Sequence, residues 1–137
     1  MSSLVSFTDL AASSVTDPHR LEGRRVLIVE DSPVVGPFTA DLLHDLGCEA
    51  VGPAPTLAIA HELIEAGGFD LALLDVHIRG ERVFPLCDAF EARSVPFVLT
   101  SGYADWKVPD RWAARPRLQK PYGLEGLRDA LSKALAS

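Results

Sequence analysis

Five polar residues follow directly on short apolar runs, and their types together define a chemistry. Val26-Leu27-Ile28-Val29 ends in Glu30-Asp31, and Leu71-Ala72-Leu73-Leu74 ends in Asp75. Phe97-Val98-Leu99-Thr100 runs into Ser101, and Leu118-Gln119 into Lys120. Brought to one place, three carboxylates repel one another, and burial raises their pKa values unless a cation joins them. Oxygen donors without His or Cys suit Mg2+, which keeps several waters and binds a couple of carboxylates plus a phosphate oxygen. A lysine adds a compact point charge for another phosphate oxygen, and a serine hydroxyl donates to a third. An aspartate can attack phosphorus to form an aspartyl phosphate, and phosphoryl transfer asks for little beyond alignment and charge neutralisation. Such equipment fits a covalent switch at Asp75 better than a turnover enzyme.

The elements that must position these residues read as alternating strands and helices, the signature of βα units around a parallel sheet. The apolar run 26–29 is a strand covered on both faces. Ser32 as N-cap and Pro33 at the first helical position open a helix with an apolar stripe of Val34, Val35, Phe38, Leu42, Leu43 and Leu46, ended by Gly47. Pro37, which lacks a backbone donor, predicts a kink there. A second strand spans 48–51 and is closed by Gly52-Pro53. Thr56 caps a second helix, which ends at Gly67-Gly68. The third strand is 71–74, the third helix carries Phe84, Cys87 and Phe90, and the fourth strand is 97–100. The segment 104–116, with Pro109 and two tryptophans, predicts a short or irregular helix. Leu118-Gln119 is a fifth strand, and Leu124, Leu127, Leu131 and Leu135 recur at helical spacing. In an open parallel sheet the carboxyl ends of the strands line a common crevice, so the polar residues converge there.

A chain of 137 residues is enough for one domain with a substantial core and too short for two ordinary ones. The formal charge of −6 argues against a general nucleic-acid binder, which needs a basic face. No apolar run approaches the ~20 residues that span a bilayer, and the N-terminus lacks the basic and apolar regions of a secretory signal, so a cytoplasmic protein is expected. Cys48 and Cys87 are read as small buried hydrophobes in a reducing compartment. Residues 1–22 read as a partly flexible leader, with a helical turn around Thr8–Ala12, and residues 23–137 as the domain. Leu4, Val5, Phe7 and Leu10 are apolar, and a homodimer contact through the leader is expected on that ground alone.

The segments VLIVEDSP, LALLDVHIRGE, PFVLTSGYAD and LQKPY resemble, in order and spacing, the response-regulator receiver family of two-component signalling, over residues 24 to 135. The resemblance implies a flavodoxin-like (βα)5 fold, a doubly wound parallel sheet of strand order 2-1-3-4-5. It implies that Glu30, Asp31 and Asp75 hold Mg2+ together with the backbone carbonyl of His77, whose side chain faces entering water. Asp75 is then the phosphoacceptor, Ser101 the switch hydroxyl with Thr100 as its rival, and Lys120 the phosphate-binding lysine, with Lys120-Pro121 cis. The small Gly102 leaves room for phosphate. The position three before Lys120 usually holds an aromatic toggle and here is Arg117; Tyr103 or Tyr122 are its candidate substitutes. The phosphodonor would be a sensor histidine kinase or a histidine phosphotransfer protein. With no output domain expected after residue 135, the output is a protein contact, a dimer change or a phosphoryl group passed onward.

Each residue also has a plainer reading. Asp75 alone could cap a turn, Lys120-Pro121 could be an ordinary loop, Ser101 a turn residue, and His77 an exposed histidine. His19, His44 and His61 read as surface residues, and Trp106 and Trp112 as either core or a partner-facing patch. The competing functions are a phosphorylation-independent pseudo-receiver adaptor and a small haloacid-dehalogenase-type phosphatase. The latter wants an aspartate where His77 stands.

Overall fold

The computed structural model describes residues 20–102 and 107–136. Seven strands and four helices follow in chain order. They are β1 (Arg25–Val29), α1 (Val35–Asp45), β2 (Glu49–Ala54), α2 (Leu57–Ala66), β3 (Leu71–Asp75), β4 (His77–Ile78), β5 (Glu81–Arg82), α3 (Phe84–Ala92), β6 (Phe97–Ser101), β7 (Arg117–Gln119) and α4 (Leu124–Ala136). The main sheet is parallel with order β2-β1-β3-β6-β7. Setting aside the small antiparallel pair β4-β5, this is the expected 2-1-3-4-5 order.

The all-apolar strands have the burial their composition demands. Side chains alternate between faces along a strand. Leu27, Val29, Ala72, Leu74, Phe97 and Leu99 therefore meet α2 and α3 on one side. Val26, Ile28, Leu71, Leu73 and Val98 meet α1 and α4 on the other. Both cysteines are buried and free, Cys87 in the first core and Cys48 in the second. Thr56 caps α2 as expected, its Oγ1 accepting from the Ile59 N–H at 3.1 Å. His44 and His61 lie on the surface.

Several expectations need correction. The regular part of α1 begins at Val35, two residues later than Pro33, but Ser32 acts as its cap as expected: the Ser32 carbonyl accepts from the Gly36 N–H at 3.1 Å, and Ser32 Oγ accepts from the N–H groups of Val34 and Val35 at 3.2 and 3.0 Å. Pro37 sits between Gly36, whose N–H donates to the Ser32 carbonyl at 3.1 Å, and Phe38, whose N–H donates to the Val34 carbonyl at 3.2 Å, so it interrupts the helical ladder at the Pro33 carbonyl. The apolar stripe of α1 is only partly buried: Leu43 is in the core, but Val34 is 74% and Phe38 48% exposed.

Strand β2 does not stop at Gly52-Pro53. It continues to Ala54 because it is an edge strand, where proline costs no ladder bond on its outer side. The pairing moves from Leu27↔Val51 to Val29↔Ala54, so β2 carries one extra residue, a bulge at Gly52 (φ +93°). Gly52-Pro53 is cis, as is the expected Lys120-Pro121. The β4-β5 hairpin was not foreseen. Arg79 and Gly80 form its two-residue turn with φ of 53° and 80°, the double-positive pattern of a primed hairpin turn.

In the irregular segment before β7, the only helix among the described residues is a 3-10 turn at Asp110–Trp112. Trp112 is a core residue, edge-on to Phe97 at 5.6 Å between centroids. Trp106 and Tyr103 lie outside the described residues, as do His19 and the leader's Leu4, Val5, Phe7, Leu10 and the turn at 8–12. Of the leader only Arg20–Glu22 is described, and Leu21 packs on the second core while its carbonyl accepts from Cys48 Sγ at 3.3 Å.

Candidate functional site

The carboxyl ends of β1, β3, β6 and β7 place their polar residues around one crevice. Glu30 follows β1 directly, and its N–H donates to the Ala54 carbonyl at 3.0 Å, so the bulged end of β2 fixes its backbone. Its side chain is 4% exposed. Burial pushes the Glu30 carboxyl above its ordinary value and the nearby Asp75 adds to this, while hydrogen bonds from Lys120 and the Ser32 N–H pull the other way. Half-buried Asp31 accepts at Oδ2 from the Arg79 N–H at 2.8 Å, a bond supplied by the hairpin turn. Asp75 ends β3 and is buried, and its Oδ1 accepts from the His77 N–H at 3.1 Å. One carboxylate oxygen from each of Glu30, Asp31 and Asp75 lies within 4.8 Å of the others.

Lys120 closes this ring. Its Nζ stands 2.7 Å from Glu30 Oε1 and 2.7 Å from Asp75 Oδ2. Burial alone would lower its pKa, but the hydrogen bonds and charges of Asp75 and Glu30 outweigh that and hold it above the ordinary lysine value. Its backbone N–H donates to the Ser101 carbonyl at 2.8 Å, tying the residue to the end of β6. Asp75, His77, Ser101, Gly102 and Lys120 line a pocket of about 370 Å3. Thr100 is equally buried but does not line it; its carbonyl accepts from the Val76 N–H at 2.9 Å. Among the described residues, no atom lies within 4 Å of a side-chain carbon placed at Gly102.

All six residues singled out in the sequence therefore meet: Glu30, Asp31, Asp75, His77, Ser101 and Lys120. His77 is exposed at the pocket wall. Arg117 is on β7, exposed, with its guanidinium donating to the Ala113 carbonyl at 3.3 Å. Tyr122 is half-buried, and its hydroxyl shares a 2.6 Å hydrogen bond with buried Thr39 of α1. Burial first, and then the negative charges of Glu30 and Asp75, raise its pKa, against a lowering by the Thr39 bond. Two supports of the site escaped the sequence reading. The Arg79 amide depends on a hairpin too short to show periodicity, although Arg79-Gly80 between extended residues was its signal. Thr39 looked like one more helical residue, and nothing local marks its distant partner.

The donor set tests well against a divalent cation. Three hard carboxylate oxygens converge without His or Cys, and one ammonium balances only part of their charge. The same pocket offers a hydroxyl and open space for a tetrahedral anion. A carboxylate, a cation and an anion cradle thus share a volume large enough for a phosphoryl group.

No protein-family model matches the chain. The solution structure of SdrG from Sphingomonas melonis Fr1 is similar at 40% identity and a TM-score of 0.76, over 84% of this chain and 98% of that one. A BeF3-activated conformation of SdrG, from Pseudomonas melonis Fr1, is similar at 40% identity and a TM-score of 0.71, over 81% and 95%. The receiver (REC) domain of the response regulator PhyR from Erythrobacter litoralis is 25% identical with a TM-score of 0.70, over 85% and 92%. The transcriptional regulatory protein PdtaR of Mycobacterium tuberculosis is 29% identical over 125 residues, 88% of this chain. The chain spans 61% of the length of that curated relative. No helix among the described residues is long and apolar enough to cross a membrane.

Proposed function

Since the chain belongs to the response-regulator receiver family, we propose that it is a phosphoacceptor switch of a two-component or phosphorelay system, in which Asp75 takes up a phosphoryl group. The observation that carries this is the placement of the Lys120 ammonium 2.7 Å from both Asp75 and Glu30, at the wall of an open pocket that Ser101 also lines. Glu30, Asp31 and Asp75, with the His77 backbone carbonyl, are the residues that would hold Mg2+, and the ion would supply charge neutralisation for the transferring group.

The chain's own residues account for the rest. His77 donates its N–H to Asp75 Oδ1 and so fixes the carboxylate's plane, while Lys120 holds Oδ2. Arg79 and Ser32 fix the acidic pair through their N–H groups. When a phosphoryl group is bonded to an Asp75 carboxylate oxygen as an acyl phosphate, that carboxylate loses its charge, and Lys120 exchanges it for a phosphate oxygen. Ser101 reaches another oxygen. These exchanges bias a two-state surface around β6, β7 and the segments beside them.

The donor is a sensor histidine kinase or histidine phosphotransfer protein, and the receiver of the signal is a protein. Catalysis is limited to self-phosphorylation and autodephosphorylation. SdrG has a BeF3-activated conformation, which makes beryllofluoride the probe to use here. Amide NMR shifts or tryptophan fluorescence are recorded on adding it, with and without Mg2+, for the wild type and Asp75→Asn. A Mg2+-dependent response lost in the variant is expected. A folded wild type that gives no response would sink the reading in favour of a phosphorylation-independent adaptor.

A further inference from the structure

The buried residues of α1 are Gly36, Thr39 and Leu43, at the helical spacing that puts them on one face. Gly36 stands beside Glu30, since a side-chain carbon there would lie 3.8 Å from Glu30 Cγ. Thr39 shares a 2.6 Å hydrogen bond with the hydroxyl of Tyr122, two residues after Lys120. One helix face thus braces both sides of the 2.7 Å ion pair between Glu30 and Lys120. Between the end of β7 at Gln119 and the start of α4 at Leu124, the Thr39 bond ties the connecting residues to α1. Thr39 is 1% exposed. A buried hydroxyl costs free energy unless it is hydrogen-bonded, and a valine would fill the same space with nothing to satisfy. A phenylalanine would likewise keep the Tyr122 ring packed on the second core. Packing therefore accounts for neither hydroxyl, and the bond between them accounts for both. The charges of Glu30, Lys120 and Asp75 all act on the Tyr122 hydroxyl, so the bond lies within reach of the site.

We infer that Tyr122, held by Thr39, is a positioning residue for Lys120: their bond keeps the segment after β7 against α1, so that the ammonium stands where a phosphate oxygen arrives. The inference rests on the reading of Asp75 as phosphoacceptor and adds a residue to the machinery of that site. Tyr122 is then a fixed strut, and not a substitute for the aromatic toggle absent at Arg117. A donor set in place beforehand stabilises incoming charge without reorganising, and a loosened one is misaligned part of the time. Without the Thr39 bond, the Lys120 N–H still donates to the Ser101 carbonyl at 2.8 Å. The lysine is loosened and not lost, so the effect is partial. The carboxylates keep supports of their own, in the N–H groups of Ser32 on Glu30, Arg79 on Asp31 and His77 on Asp75.

The test measures apparent dissociation constants for beryllofluoride with Mg2+, by amide NMR shifts in the full chain. Wild type, Thr39→Val, Tyr122→Phe and the double variant are compared, and Mg2+ is also titrated alone into each. Each single substitution is expected to weaken beryllofluoride binding on the order of fivefold, the net worth of one hydrogen bond. The double variant should lose no more than either single one, because both remove the same bond. Thr39→Ser keeps the hydroxyl and should restore wild-type binding. Mg2+ alone should bind the variants as well as it binds the wild type. Unchanged beryllofluoride binding in folded variants would overturn the inference and leave the bond as a brace of the fold. Tighter binding would also overturn it, because the bond would then break in the activated form and Tyr122 would act as a toggle. Equal weakening of beryllofluoride and of Mg2+ would move the effect from Lys120 to the carboxylates, against the inference. No beryllofluoride response in the folded wild type would remove the phosphoacceptor reading, and this inference with it.

Discussion

Lys120 sets one ammonium against two buried carboxylates, and neither Glu30 nor Asp75 has another cation within salt-bridge distance among the described ion pairs. Lys120→Gln leaves the pair uncompensated, and removing one partner of a buried ion pair costs about 3–5 kcal/mol. Urea unfolding in chelator should show that loss, and Mg2+ should restore more stability to the variant than it adds to the wild type. Equal increments would mean that the metal and the lysine do not neutralise the same charges. Tyr122 gives a second test at this scale. Its folded pKa lies above the ordinary phenol value of 10.0, so the native state keeps its proton where the unfolded chain releases it. The contribution is complete below pH 10 and is lost as pH rises through the folded pKa. The chain has two tyrosines. Ultraviolet titration should resolve a delayed phenol that Tyr122→Phe abolishes, and the variant should lose less stability between pH 10 and that pKa. The site residues were legible because each ends an apolar run. Tyr122 was noticed only as a spare aromatic, since its 83-residue separation from Thr39 leaves no local trace.

At the scale of elements, the packing of α1 against β2 decides where Glu30 stands. A side-chain carbon at Gly36 would sit 2.8 and 3.1 Å from the Pro53 ring and 3.8 Å from Glu30 Cγ. In an open helix Gly→Ala stabilises by roughly 0.5–1 kcal/mol. Here the rigid proline cannot yield, and Gly36→Ala should instead destabilise by about 1–3 kcal/mol, the usual range for overpacking. Thermal or urea unfolding checks the sign, and a stabilised variant would mean that β2 moves freely away from α1. This contact also shows where sequence reading stopped. Periodicity gave α1 an apolar stripe but could not distinguish the side chain that enters the core, Leu43, from those that stay in solvent, Val34 and Phe38. Gly52-Pro53 signalled a stop, yet the edge position of β2 lets the strand run on through a bulge. Strands β1, β3 and β6 were read almost to the residue, because burial on both faces forces a continuous apolar run. The hairpin has two residues in each strand, below the length at which alternation carries information.

Across the whole molecule, one sheet separates two cores, and each core holds one buried thiol. Cys87 is fully buried in α3, and burial pushes its pKa up to about 12, with Asp88 adding to the effect. Cys48 is 5% exposed, and burial raises its pKa as well, against a lowering by Arg24. Reaction with a thiol reagent proceeds through the thiolate, so both residues should resist labelling until the structure opens. The kind of opening should differ. Cys48 precedes the edge strand β2 and lines a surface groove with Asp41, His44 and Glu49; its thiol donates to the Leu21 carbonyl and its N–H to the Leu43 carbonyl. Cys87 belongs to the other core, which also holds the aromatic group of Phe90, Phe97 and Trp112. Edge elements open locally at lower cost than the centre of a domain. In native buffer Cys48 should therefore label faster, with a rate that hardly responds to low urea. Cys87 should label at a rate that climbs with urea as global unfolding does. Single-cysteine variants, Cys48→Ala and Cys87→Ala, read each rate by itself. Equal rates with equal urea dependence would mean that the two faces of the sheet open only together, and that the edge at β2 has no local freedom.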